Sequence, residues 1–262
     1  MNATLKARLA AGETLYGTLL TLGSTEVAEL LAVAGFDWIF LDAEHGALDP
    51  RDVLHLLQAV AGRTPCLVRV PALDEAWTKR ALDAGAEGVI VPQVGTAEAA
   101  ERVVQFAQFP PRGRRGLGTA RANRYGLGVA EYLKTVSDRV VVVVQAETVE
   151  AVHNIQAIAR VKGIDAVFVG PYDLSASLGF PGEVDHPAVR AAIAQVSRAC
   201  REAGVRTGIF AMTAGGLGPY LPAGFTLLAA GVDTALLGEA AEVLLRDLRS
   251  RDTGKLGPLT QP

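Results

Sequence analysis

The chain has 262 residues, half of them hydrophobic and a fifth charged, with a formal net charge of −3. This composition supports one sizeable core and a single domain over 1–262, and it gives no argument for nucleic acid or an anionic membrane surface as a partner. The two cysteines, Cys66 and Cys200, have neither the number nor the spacing of a disulfide framework or a zinc site, and the longest valine run, Val140 to Val144, is far short of the roughly 18 apolar residues of a membrane helix. The opening MNATLKARLAAGETLYG lacks the apolar core of a signal peptide, so a cytoplasmic protein is expected.

In chain order the sequence alternates strand-like and helix-like segments. LYGTLLTL reads as a strand, followed by the helical STEVAELLAVAGF between a Ser24 cap and Gly35. WIFLD is a second strand. Its helix LDPRDVLHLLQAVAGR has Asp49 as N-cap, Pro50 at the first helical position and Gly62 past the end. PCLVRVP and DEAWTKRALDAGA form the third unit. EGVIVPQV and TAEAAERVVQFAQF form the fourth, stopped by Pro110 and Pro111. A glycine- and arginine-rich stretch, PPRGRRGLGTARANRYGLG, separates this from RVVVVVQAE and its helix TVEAVHNIQAIARV. Then come DAVFVGPYDL with the helix HPAVRAAIAQVSRACREAG, RTGIFAM with a helix expected around GPYLPAG, and FTLLAAGVD before TALLGEAAEVLLRDLRSR.

The strands are continuous apolar runs, as in strands covered on both faces. Eight such units in about 250 residues predict a (β/α)8 TIM barrel. No G-x-G-x-x-G follows the first strand, which argues against a doubly wound dinucleotide-binding sheet.

A barrel of this kind carries its active site at the C-terminal ends of the strands. Polar residues gather there: Asp42, Glu44 and His45 after the second strand, Arg69 within the third, Gln145 and Glu147 at the fifth, and Asp173 in GPYD after the sixth. Gln145 and Glu147 share a strand face, being two apart. After five valines an unpaired carboxylate is costly, and adjacent carboxylates repel, so Glu147 and Asp173 either hold a proton or flank a cation. A hard divalent ion with oxygen ligands suits them. The plainer readings are a charge at a helix N-terminus for Glu147 and an N-cap for Asp173. Arg69 reads either as a structural ion pair or as a cation for a developing oxyanion. His45, three positions after Asp42, reads either as a loop histidine or as a base oriented by that carboxylate. His55, His153 and His186 fall on helices or a helix start. Glu44 has no evident role. None of the five lysines (Lys6, Lys79, Lys134, Lys162, Lys255) lies in a predicted strand or at a strand tip, which argues against Schiff-base chemistry.

The blocks DWIFLDAEHG, LVRVP, LDAGAEGVIVPQV, RRGLGTARANRYG, VVVQAET, AVFVGPYDLSASLG and GFTLLAAGVDTALL resemble, in order, the HpcH/HpaI aldolases, metal-dependent (class II) pyruvate aldolases, over nearly the whole chain. The resemblance implies a TIM barrel with its last helix exchanged between subunits of a homohexamer, a trimer of dimers. It implies Mg²⁺, Mn²⁺ or Co²⁺ on Glu147 and Asp173, and a pyruvyl carboxylate on the backbone around Gly170, Pro171, Tyr172 and Asp173, with Gln145 touching substrate. Arg69 is expected to stabilise the enolate, His45 to be the base with Asp42 beside it, and Asp83, in LDAGAEG, to raise the basicity of His45, within or across subunits. Tyr172 departs from a position that is often small in the family.

The reaction implied is reversible cleavage of a 4-hydroxy-2-oxo acid, of the 4-hydroxy-2-oxoheptanedioate or 2-keto-3-deoxy sugar acid type, to pyruvate and an aldehyde, as in aromatic or sugar-acid catabolism. Two other readings stand beside it: a citrate-lyase-type lyase acting on a CoA thioester, with the arginines of 112–124 as nucleotide contacts, and a non-catalytic protein binding pyruvate-like acids. Otherwise those arginines serve oligomer contacts or a distal substrate carboxylate.

Overall fold

A computed structural model describes residues 3–252 of the chain; Lys255 lies outside them. Eight parallel strands close into a barrel in sequence order. They are β1 (Leu15–Leu20), β2 (Trp38–Asp42), β3 (Cys66–Arg69), β4 (Gly88–Val91), β5 (Val141–Ala146), β6 (Ala166–Val169), β7 (Arg206–Ala211) and β8 (Leu227–Val232). Around them lie α1 (Leu5–Ala11), α2 (Thr25–Ala34), α3 (Pro50–Ala59), α4 (Glu75–Asp83), α5 (Ala97–Ala107), α6 (Val129–Thr135), α7 (Val149–Ala159), α8 (Pro171–Ser177), α9 (Pro187–Ala203) and α10 (Asp233–Asp252). This is the (β/α)8 barrel that the apolar runs predict.

Several helix starts follow from their capping residues. Ser24 accepts from the Val27 N–H to open α2, and Asp49 with Asp52 forms a capping box ahead of Pro50 on α3. Four elements differ from expectation, two of them the additional helices α6 and α8, the latter replacing the end of the strand read through GPYDL. α1 precedes the first strand, and its Leu5 and Leu9 plug the N-terminal mouth of the barrel. The segment around GPYLPAG forms turns rather than a helix, preceded by a single 3₁₀ turn at Ala214–Leu217, because glycine and proline give no continuous donors or propensity for an α-helix.

Alternation along the strands splits the core in two. Outward residues such as Ile39, Leu41, Val68, Val142, Val144 and Val167 pack against the helices. Inward residues Leu19, Trp38, Phe40, Leu67, Val143 and Phe168 fill the barrel. Trp38, Phe40 and Phe168 make one aromatic cluster with centroids 5.5 to 6.2 Å apart. Gly17 makes room for it, since a Cβ there would lie 2.6 Å from the Trp38 ring. Asp233 closes the seam at the other end, accepting from Thr21 and Leu22 N–H and from the Thr21 hydroxyl, which ties the start of α10 to the end of β1.

Candidate active site

The same alternation decides what reaches the C-terminal mouth. On β2 the inward positions run Trp38, Phe40, Asp42; on β3, Leu67, Arg69; on β5, Val141, Val143, Gln145. An aromatic floor therefore gives way to polar groups one strand step later. They line a cavity of about 370 Å³ that contains Asp42, His45, Arg69, Gln145, Gly170, Pro171, Tyr172 and Asp173 among its walls. Every residue expected at the strand tips is there or directly behind it.

Asp42 and Arg69 are register partners on neighbouring strands. Arg69 donates from Nε to Asp42 Oδ1 (2.9 Å) and from Nη2 to Oδ2 (2.6 Å), while its Nη1 lies 3.1 Å from Glu44 Oε2. Its guanidinium also sits 5.1 Å over the Phe40 ring. Burial alone would lower the Arg69 pKa; the Asp42 hydrogen bonds, and then the charges of Asp42, Glu44 and Glu147, raise it instead.

This geometry corrects the pairing expected for Asp42. Its carboxylate touches His45 only through the backbone N–H (3.3 Å) and also accepts from the Glu44 N–H. The carboxylate beside the His45 imidazole is Glu44, with Oε2 3.9 Å from Nε2. Glu44, which the sequence left without a role, thus stands between Arg69 and His45, and burial pushes its carboxyl pKa up, with Asp42 and Asp173 adding to the rise against the pull of Arg69 and His45. The His45 side chain is 63 % exposed at the rim.

Glu147 lies just behind the cavity wall, 3 % exposed. Its Oε1 accepts from the Gln93 backbone N–H at 2.7 Å, and its Oε2 accepts from Gln145 Nε2. Gln93 holds a left-handed φ of 54° to aim that N–H, a strained conformation for a residue with a side chain. No sequence motif announces it. Thr148, not Glu147, is the N-cap of α7. Asp173 sits inside the first turn of α8, with Gly170 in the cap position. At Gly170 a Cβ would lie 2.8 Å from both Gln145 Nε2 and Glu147 Oε2, so only glycine lets the backbone come this close.

Burial raises the Glu147 pKa to about 7, with Glu44 and Asp173 adding to the rise against the Gln93 hydrogen bond and Arg69. Gln145 Oε1 is buried without a hydrogen-bond partner, and Glu44 Oε2 has only its ion pair with Arg69 and the nearby His45 ring. Among the described residues no three His, Cys, Asp or Glu side chains form a cation cage. A Mg²⁺-like ion, however, is commonly held by one or two carboxylates with waters and substrate completing its shell. The excess of carboxylate over cation around Glu147 and Asp173, with the unpartnered Gln145 Oε1 beside them, fits such an ion.

Asp83 is placed elsewhere. It ends α4, which runs antiparallel to the strands and so delivers it towards the N-terminal face. There its carboxylate meets Arg115 Nη2 at 2.6 Å. Within one chain Asp83 does not face His45. Apart from Arg124, the arginines of 112–124 are likewise turned to their own chain. Arg114 pairs with Glu75, Arg112 lies 3.6 Å from Asp138, and Arg121 donates to the Ala84 and Leu57 carbonyls. None of them lines the cavity.

Residues 16–240 match the family described as HpcH/HpaI aldolase/citrate lyase. A 4-hydroxy-2-oxovalerate aldolase of Rhodococcus jostii is 44 % identical over 243 residues, covering 92 % of this chain and 94 % of that protein. A 4-hydroxy-2-oxo-heptane-1,7-dioate aldolase of Shigella sonnei is 42 % identical over 247 residues, covering 93 % and 94 %. Among solved structures, a HpcH/HpaI aldolase/citrate lyase family protein from Burkholderia cenocepacia superposes with a TM-score of 0.90 at 40 % identity, covering 94 % of this chain and 98 % of that one. A citrate lyase beta subunit from M. tuberculosis, complexed with oxaloacetate and magnesium, shares the fold at a TM-score of 0.59 and 17 % identity, covering 87 % and 95 %.

Proposed function

The chain belongs to the HpcH/HpaI aldolase/citrate lyase family and is a carbon–carbon lyase of the aldolase kind, and from that premise we propose that it reversibly cleaves a 4-hydroxy-2-oxo acid to pyruvate and an aldehyde at the mouth of β2, β3, β5 and β6. The observation that carries this reading is the Arg69 fork, anchored by two carboxylates between an exposed His45 and the Glu147–Asp173 pair.

Glu147 and Asp173 would hold a divalent ion, Mg²⁺, Mn²⁺ or Co²⁺. When bound, such an ion supplies Lewis-acid polarisation of the 2-oxo group. The chain's own groups do the rest. The N–H groups of Tyr172 and Asp173, unsatisfied donors in the first turn of α8, receive the substrate carboxylate; Pro171 has none to offer. Gln145 orients the pyruvyl end. His45 takes the proton from the C4 hydroxyl. As the C3–C4 bond breaks, the aldehyde leaves, and the electron pair moves into the pyruvate enolate, facing the N–H groups of Arg69 not used by Asp42 and Glu44. A proton delivered to C3 gives pyruvate. In the reverse direction the enolate adds to an aldehyde.

We further propose that the site works in an oligomer, a homohexamer of exchanged dimers. The exposed leucines of α10 support this reading, and Asp83 would act on His45 only from a neighbouring subunit. The cytoplasm remains the proposed location, and no helix among the described residues is long and apolar enough to cross a membrane. The citrate-lyase alternative would need a nucleotide surface, and most arginines available for one are engaged by their own chain. The test is release of pyruvate from a panel of 4-hydroxy-2-oxo acids with Mg²⁺ or Mn²⁺ present. Release without a CoA thioester supports the aldolase; no release from any member of the panel sinks it.

A further inference from the structure

The cavity has two unlike sides. The polar side is built from β2 to β6: Asp42, His45, Arg69, Gln145 and Asp173. The sector β7–β8–β1 contributes Phe210, Val232 and Leu19, and apart from Thr21 it brings no polar side chain to the lining. Tyr172 closes over this sector from the end of β6, its ring centroid 6.3 Å from that of Phe210 and the residue 39 % exposed at the rim. Barrel closure sets Phe210 of β7 across from Arg69 of β3 and β8 across from β4, while Leu19 of β1 borders β2.

The charge balance points the same way. Arg69 is the single arginine or lysine lining the cavity among the described residues, and Asp42 and Glu44 already hold it. Four carboxylates, Asp42, Glu44, Asp173 and Glu147, share its surroundings. A substrate with one carboxylate at the pyruvyl end uses the polar side. A second carboxylate at the far end would lie on aromatic and aliphatic surface with no free cation of its own chain to meet it, which is costly.

We propose that the aldehyde released or captured at this site is uncharged and apolar, and that Tyr172 and Phe210 form the wall that selects it. The inference rests on the aldolase reading and narrows its substrate class to 4-hydroxy-2-oxo monocarboxylates with an alkyl or aryl tail. Tyr172 is a specificity residue here through its ring, whatever its backbone N–H does for the carboxylate.

The test uses the Mn²⁺-loaded protein and pyruvate with acetaldehyde, propanal, butanal and succinic semialdehyde, the last being butanal's chain with a terminal carboxylate. The expected kcat/KM rises by about fourfold per added methylene, the value of one buried methylene, and butanal exceeds succinic semialdehyde by at least about tenfold. Tyr172→Ala flattens the chain-length series, and Tyr172→Arg, at a half-open rim that tolerates a long side chain, shifts the butanal-to-semialdehyde ratio towards the acid by about tenfold. Equal or better use of succinic semialdehyde by the wild type, or a ratio unmoved in both variants, overturns the proposal. Exchange of the pyruvate methyl protons in D₂O reads enolate formation without any aldehyde. Exchange together with a preference for the semialdehyde defeats this inference and leaves the aldolase standing; no exchange and no addition to any aldehyde defeats the aldolase reading itself.

Discussion

Asp42 holds Arg69 by both arms of its fork, at 2.9 and 2.6 Å, with the two side chains 2 % and 7 % exposed. A bidentate pair this deep is a positioning device: removing one partner leaves an uncompensated buried charge, at a cost of about 3–5 kcal/mol. Asp42→Asn should therefore lower both stability, read by denaturant unfolding, and kcat/KM. Arg69→Lys keeps the charge but loses the planar fork, and it should not restore activity. A fully active Arg69→Lys protein would show that a point charge suffices.

His45 is the proposed base, and Glu44 is the carboxylate next to its ring. Loss of a general base typically costs 10²–10⁴-fold, so His45→Ala should reduce turnover by at least about a hundredfold while Mn²⁺ still binds to Glu147 and Asp173. Glu44→Gln keeps the shape, removes one charged partner of Arg69, and should cost about tenfold in kcat/KM. Unchanged turnover in His45→Ala would falsify the base assignment, and titration of Mn²⁺ into the variant separates this from loss of the ion.

The barrel and the location of its site were legible because both follow from local rules. Continuous apolar runs mark strands covered on two faces, and period-two alternation carries Asp42, Arg69 and Gln145 inward above Phe40, Leu67 and Val143. What sequence separation misassigned was partnership. Asp42 lies three positions from His45 and twenty-seven from Arg69, yet strand register makes Arg69 its neighbour. Glu44 was opaque for the same reason: its role depends on where two other elements end. The Gln93 N–H that holds Glu147 depends on one left-handed backbone angle, which VPQV does not encode in its residue types. Asp83, which the resemblance sets near His45 within or across subunits, sits with Arg115 in its own chain, because α4 runs away from the mouth.

Glu147 makes ion binding pH-dependent. With its pKa raised to about 7 by burial, its carboxyl is largely protonated below that pH in the metal-free chain, and an ion must displace the proton. Apparent Mn²⁺ affinity should rise by up to about tenfold per pH unit until about pH 7 and then level off. Folding stability has the opposite sign. A carboxyl whose folded pKa exceeds its ordinary 4.5 binds more protons folded than unfolded between those values, so its contribution is full below pH 4.5 and is lost as pH rises towards 7. Calorimetric titrations in buffers of different ionisation enthalpy check the proton release. Glu147→Gln should abolish it, and chelation with EDTA should abolish activity until a divalent ion is restored. Pyruvate formation at full rate in the chelator would refute the metal role.

α10 leaves the barrel with its apolar side uncovered. From Leu236 to Arg251 every residue is exposed. Leu237, Ala241, Leu244 and Leu248 follow one another at four, three and four positions, one face of a helix; the three leucines are 57 to 64 % exposed. An isolated stripe of this size seeks cover, and α2 offers an uncovered counterpart in Leu30 and Val33, each 68 % exposed. Asp233 meanwhile anchors the start of the helix to β1 through three hydrogen bonds, so the departure point is fixed while the rest is free to reach a neighbour. If α10 docks on a second copy, Leu237→Glu with Leu244→Glu should convert the assembly to smaller species in light scattering while leaving each barrel folded by circular dichroism. Activity should fall with assembly if Asp83 of a neighbour completes the site, and Asp83→Asn in the intact assembly should then reproduce the loss. Retention of the wild-type mass in the double variant would mean that α10 does not carry the contact between subunits.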